Sequence, residues 1–282
     1  MVARTKLSRI GYLLTGLTFL LPASVLGSAT ADAAEVLPHK AFYVLHSRQV
    51  PGGAESVSAD GLLIFEWTDT CDGWQVNQQA KIRLSGEEGD TGFEWRQITW
   101  ESKDGRRYRY QTEELHDGQK GEQRRGEASF DPGGPGAVTT ALPERSQHPL
   151  SSDVLLPTAH SLRLLQAAEA GESFMSAEVF DGTVSDEPMQ ITAAIGPASM
   201  QWQDQGKQFP ALAKVPSRPV DLAFFLTDNP AGEPDFEQSL RVYDNGVIGR
   251  MTFTFAGVSM EGDLRRLDVP APAKCKAGSA LP

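Results

Sequence analysis

The sequence predicts a mainly β protein, an antiparallel sheet of about thirteen or fourteen strands with one amphipathic helix. Three observations carry that expectation. Apolar and polar residues alternate with a period of two along most of the chain, as in strands with one buried face. The 282 residues include 27 glycines and 18 prolines, too many for a helical bundle but suited to many short strands and their turns. Only one segment changes to three- and four-residue apolar spacing.

The chain begins with an address. Arg4, Lys6 and Arg9 precede a mostly apolar run from Ile10 to Leu21, and small residues follow through Ala34. This layout predicts a secretory signal peptide over 1–33, cleaved after Ala33, with Ala31 as the neighbouring alternative. A helix from Ile10 to Leu21 would reach only about 18 Å, against about 30 Å of membrane hydrocarbon. No cysteine follows the run to direct lipid attachment. The remainder, 34–282, shows no shift in composition and is expected to be one exported, soluble β-rich domain.

The strands can be taken in order. Leu62 to Thr68 opens the β-rich region, which pauses at Cys71-Asp72-Gly73 and resumes from Trp74 to Gln79. Ile82 and Leu84 alternate with Arg83 and Ser85. Phe93, Trp95, Gln97 and Thr99 share one face, while Glu94, Arg96, Ile98 and Trp100 take the other. Asp104-Gly105 reads as a hairpin turn before alternating Tyr108–Thr112. Asp131-Pro132-Gly133-Gly134-Pro135-Gly136 reads as a loop. From Pro157 to Ala170, Ala159, Leu162, Leu165 and Ala168 follow helical spacing beside Leu164. There Pro157 fits the first helical position, Thr158 the cap and Gly171 the stop. Tyr243-Asp244-Asn245-Gly246-Val247 is the strongest hairpin signal and predicts a tight type I′ turn. Met251, Phe253 and Phe255 then lie on one face of a late strand.

Charge and motifs narrow the chemistry. A net charge of −11 and a pI near 5.0 disfavour nucleic acid and anionic membrane surfaces as partners. Two cysteines are too few for a four-thiolate zinc site. In an oxidising compartment, Cys71 and Cys275 are expected to form a disulfide, a structural bond in the absence of any Cys-x-x-Cys. Gly257-Val258-Ser259-Met260-Glu261 lacks the second glycine of a nucleophile elbow. The histidines (His39, His46, His116, His148, His160) lack metal-motif spacing, although His148 and His160 could converge in space. No catalytic, cofactor or metal residue is therefore expected. The most suggestive acids are Glu66, Asp69 and Asp72 around Trp67 and Trp74, since sugar clefts combine acids with aromatic rings. The plainer reading places two core tryptophans beside the disulfide and the acids at a hairpin turn. Arg106-Arg107 and Arg124-Arg125 read as solvated charges.

The stretch Phe65-Glu66-Trp67-Thr68-Asp69-Thr70-Cys71-Asp72-Gly73-Trp74-Gln75-Val76-Asn77-Gln78 resembles the signature of the EipB-like cell-envelope integrity proteins. These are periplasmic proteins of alphaproteobacteria, formerly a domain of unknown function. Leu37–Tyr43, Leu156–His160, Asp244–Val247 and Ala273-Lys274-Cys275 resemble further parts of that family's domain. The resemblance implies a long antiparallel sheet curled into an open, spiral-like partial barrel, and a bridge between Cys71 and Cys275. Trp67, Asp69, Asp72, Gly73 and Trp74 are the motif residues around that bridge. It also implies a role in envelope integrity through a periplasmic protein partner, including a tetratricopeptide-repeat protein, and carries over no catalytic residue.

Three functions follow as expectations. The first is a non-catalytic periplasmic binding protein, with concave face and strand edges open to a partner. The second is a carrier of lipid or lipoprotein acyl chains, with Leu222, Phe224, Phe253 and Phe255 lining the concave face. The third is a cell-wall glycan hydrolase using acids near Trp67 and Trp74.

Overall fold

A computed structural model describes residues 36–48, 57–87, 89–201, 203–227 and 232–275. The predicted signal peptide lies outside them. Among the described residues, fourteen strands form one sheet. The first eight are β1 (His39–Ser47), β2 (Val57–Asp69), β3 (Gly73–Gly86), β4 (Gly89–Ser102), β5 (Arg107–His116), β6 (Gln119–Phe130), β7 (Gly136–Leu142) and β8 (Ser146–Leu150). Helix α1 (Pro157–Glu169) follows, then β9 (Phe174–Val179) and β10 (Met189–Ile195). A short α2 (Gln203–Gln208) and a 3-10 turn (Pro210–Leu212) lead to β11 (Ser217–Phe225), β12 (Phe236–Tyr243), β13 (Ile248–Phe255) and β14 (Val258–Asp268).

The strand order is β8-β7-β6-β5-β4-β3-β2-β1-β14-β13-β12-β11-β10-β9, antiparallel throughout. Two meanders are thus joined where the first strand pairs with the last. The two sheet edges, β8 and β9, are neighbours in sequence and are connected through α1. They do not pair with each other, so the sheet stays open. Leu155 bridges toward β9, its N–H donating to Glu178 O at 2.8 Å and its carbonyl accepting from Phe180 N–H at 3.0 Å.

The alternation places the core as expected. Gln97 and Thr99 are buried, whereas Ile98, from the same strand, is 52% exposed. Leu164 and Leu165 of α1 pack with Trp67, Ile191, Val220 and Leu222. A second cluster, with Tyr43, Leu45, Ile82, Met251 and Met260, includes Leu212 of the 3-10 turn and Phe209 just before it. A third joins Tyr108, Tyr110 and Val138 to Leu156 and Phe180.

Three local expectations need correction. The Asn245-Gly246 hairpin is not type I′, since only Gly246 has positive φ (83°). Gly246 N–H donates to Tyr243 O and the strand register shifts at Arg241/Val242, the pattern of a type I turn with an added left-handed residue. Thr158 does not cap α1; Leu156 occupies the cap position without a side-chain hydrogen bond. Arg124 is not solvated but buried, 8% exposed. The stop of α1 is as expected: Gly171 (φ 78°) donates to Ala168 O and Glu172 N–H to Ala167 O, a Schellman closure.

Candidate functional site

The suggestive acids fall at the β2–β3 turn, where they hold backbone. Asp69 accepts the Cys71 N–H at 2.7 Å and pairs with Lys103 Nζ at 3.0 Å. Asp72 accepts the Thr70 hydroxyl at 3.0 Å, and Thr70 Oγ1 in turn accepts the Trp100 indole N–H at 3.2 Å. Cys71 sits in the left-handed region (φ 72°), and its amide is the one Asp69 satisfies. Gly73 is required because a Cβ there would collide with the Glu101 carbonyl and the Trp100 ring. Trp67 is buried and meets Trp74 edge-on at 6.0 Å, while Lys103 lies over the Trp74 face at 3.0 Å. Glu66 points to the opposite face of β2 and pairs with Lys40 at 3.0 Å. The three acids are therefore each engaged separately rather than facing one another across a cleft.

Topology explains the disulfide. Lys40 on β1 lies between Asp268 at the end of β14 and Glu66 near the end of β2. The chain leaving β14 therefore emerges beside the β2–β3 turn, and Cys275 bonds Cys71 with 5.5 Å between Cα atoms across a sequence separation of 204.

A second polar group brackets α1. Glu101 of β4 is 2% exposed and accepts the Thr158 and Ala159 N–H groups at 2.7 and 2.8 Å. Burial raises its carboxyl to about 7, overcoming the opposing effect of those two hydrogen bonds. At the other end, buried Arg218 of β11 donates to the Ala168 carbonyl and pairs with Asp244 at 2.7 Å. Acid at the N-terminus and base at the C-terminus complement the helix dipole. Beside the Glu101 end lies a cavity of about 160 Å³ lined by Trp67, Gln97, Thr158, Ser161 and Asp181. Trp67 Nε1 is buried without a hydrogen-bond partner among the described residues. His160 is buried on α1, and burial lowers its imidazole to about 4.

A third group ties down the β9–β10 loop. Arg124 donates to Gly182 O at 3.0 Å and pairs with Asp186 at 2.6 Å. Thr140 and Ser146 donate to the same carboxylate at 2.8 and 2.6 Å, and His148 stands 3.7 Å away. His148 thus belongs to this loop clamp and His160 to the helix face, each with its own surroundings. Sequence spacing gave no sign of either the helix bracket or the clamp.

His46, Glu261 and Asp263 bring potential ligand atoms within 4.8 Å of one another. Arg250 already serves these carboxylates, at 3.1 Å from Asp263 and 3.8 Å from Glu261. Leu222 and Phe224 pack in the α1 cluster and Phe253 and Phe255 in the second, while the register places Leu222, Gln238 and Phe253 in one cross-strand row, so the four share one face of the sheet. No helix among the described residues is long and apolar enough to cross a membrane.

An open antiparallel sheet, stapled near its middle by one disulfide and wrapped against a bracketed helix, defines a barrel-like β protein whose notable acids serve the fold. A family model described as EipB-like matches residues 30–271, and the chain belongs to that family. The chain is 26% identical over 275 residues to the cell envelope integrity protein EipB of Brucella abortus (strain 2308), covering 96% of this chain and 98% of that one. It is also similar to the crystal structure of a beta-barrel-like protein of a domain of unknown function from Brucella abortus. There the TM-score is 0.77 at 24% identity, over 84% of this chain and 99% of the other.

Proposed function

We propose that this chain is an exported, non-catalytic protein that sustains cell-envelope integrity by binding another periplasmic protein. The observation that carries the reading is the extent of the family match, which runs along nearly the whole chain and includes a relative named for envelope integrity. The site geometry is consistent with it, because Asp69, Asp72 and Glu101 hold a turn and a helix end. A tetratricopeptide-repeat protein is the partner the family resemblance offers. The carrier reading has less support, since the cavity beside α1, at about 160 Å³, is below the roughly 300–1,000 Å³ of ordinary ligand pockets, and the larger groove over β3–β7 is lined by Gln75, Arg109, Gln111, Arg125 and Glu127, which do not suit an alkyl chain. The test is deletion of the gene in its own bacterium, followed by exposure to detergent and recovery of the tagged chain with its bound proteins and lipids. Detergent sensitivity reversed by the wild-type gene, with one protein retained reproducibly, is the expected result. Unchanged envelope tolerance overturns the reading, and stoichiometric lipid without protein replaces it with the carrier.

A further inference from the structure

The outer face of β3 to β7 carries a groove of about 600 Å³. Cross-strand register sets its walls. Gln75, Trp100, Arg109, Glu127 and Thr139 form one row across the five strands, and Ile98, Gln111 and Arg125 form the next. The next two rows are neutralised by ion pairs: Lys81 with Glu94 at 2.8 Å, Arg96 with Glu94 at 3.3 Å, and Lys120 with Glu113 at 3.9 Å. The groove rows are different. Arg109 stacks on Trp100 at 4.6 Å and Arg107 at 5.7 Å, and neither Arg109 nor Arg125 has a carboxylate within ion-pair distance among the described residues. Glu127 faces the groove opposite Arg109 without pairing with it. Ile98 adds an apolar floor, 52% exposed.

We propose that this groove binds an extended acidic peptide segment of a partner protein, with carboxylates on Arg109 and Arg125 and an apolar side chain on Ile98 and Trp100. Charge complementarity selects the occupant: on a chain of net charge −11, a groove whose two arginines outnumber its one carboxylate, Glu127, and are bonded to none is where an acidic segment is attracted rather than repelled. Geometry sets its pattern. Arg109 and Arg125 are diagonal neighbours on adjacent strands, about 7–8 Å apart at the backbone. Acidic residues two positions apart in an extended peptide are separated by about 7 Å and project to the same side. Five strands span about 19 Å, enough for about six extended residues. The inference deepens the binding reading above by naming the partner's chemistry.

The experiment uses the mature chain and a fluorescein-labelled six-residue peptide with leucine at its first position and glutamate at its third and fifth. A matched peptide carries glutamine in place of glutamate, and binding is followed by anisotropy. Saturable binding is expected, weakened at least ten-fold by R109Q/R125Q and by glutamine in the peptide, and unchanged by K81Q. Circular dichroism melts confirm that the double variant is folded. Undetectable binding, or binding indifferent to R109Q/R125Q, overturns the inference. So does binding of polygalacturonate or phosphatidylglycerol vesicles in preference to the peptide, which would make the occupant a glycan or a membrane. Peptide failure with an intact deletion phenotype removes this inference alone, whereas absence of the phenotype removes the envelope reading and leaves the groove.

Discussion

Replacing Glu101 with glutamine tests the helix bracket, because it removes a buried charge while keeping an acceptor near Thr158 and Ala159. The folded carboxyl is raised from its ordinary 4.5 to about 7, mainly by burial. Between those values the folded state binds more protons than the unfolded state, so stability falls as pH rises. The contribution is fully present below pH 4.5 and lost as pH passes through about 7. A shift from 4.5 to about 7 corresponds to about 3 kcal/mol. His160 works in the opposite sense. Its imidazole is lowered from 6.5 to about 4, so its contribution is present above pH 6.5 and lost as pH falls through about 4. From pH 4.5 to 6.5 the two slopes oppose each other, so the wild-type profile should be flatter there than either group alone would make it. Asp181, also raised by burial, adds to the Glu101 side.

Glu101→Gln should unmask the histidine. Urea unfolding followed by tryptophan fluorescence at pH 4.5, 5.5, 6.5 and 7.5 measures it, with the disulfide intact in both proteins. The wild-type stability minus that of Glu101→Gln should fall by about 3 kcal/mol from the lowest pH to the highest, equivalent to about 6–12 °C in melting temperature for a domain of this size. A constant offset between parallel profiles would refute the assignment of the raised carboxyl to Glu101, whatever the size of that offset.

Other perturbations probe separate parts of the fold. Cys71→Ser should cost about 2–5 kcal/mol in thermal unfolding, and the double variant with Cys275→Ser should be no worse; a clearly worse double variant would mean the two thiols act separately. Arg124→Met should cost about 2 kcal/mol and accelerate hydrogen exchange of the 181–187 amides while leaving β1–β4 unchanged. Uniform acceleration would contradict a local clamp. Gly126→Ala places a methyl against the Tyr110 hydroxyl and the Thr139 carbonyl, and should cost about 1–3 kcal/mol in urea unfolding; a neutral result would mean β5 and β7 yield there freely.

What the sequence made legible, and what it hid, divides by the range of the interaction. Period-two alternation placed Gln97 and Thr99 inside and Ile98 outside because strand geometry acts from one residue to the next. The disulfide partners were legible because an expected export and a count of two leave one intramolecular pairing. Even the plain reading of Asp69 and Asp72 rested on local turn chemistry, and their contacts are with residues in or beside that turn. The short α2 was hidden because Gln-Asp-Gln-Gly-Lys-Gln has no apolar period and carries a glycine.

The helix cap shows a cause it shares with the buried arginines that spacing did not report. Thr158 has the right chemistry for a local cap, but the structure places its amide against Glu101, 57 positions earlier. A carboxylate carried on β4 satisfies two backbone donors at once and ties the helix entrance to the sheet, which a local threonine cap would not do. Arg218 does the same from β11 at the opposite end, and Arg124 does it for the loop after β9. Each is a charged residue whose burial depends on a partner far away in the chain, so no fixed spacing reports it. These long-range ties occur where α1 and the β9–β10 loop must be held against a sheet whose edges do not pair with each other. The same open topology that leaves those edges unpaired is therefore what gives buried Glu101, Arg124 and Arg218 their structural work.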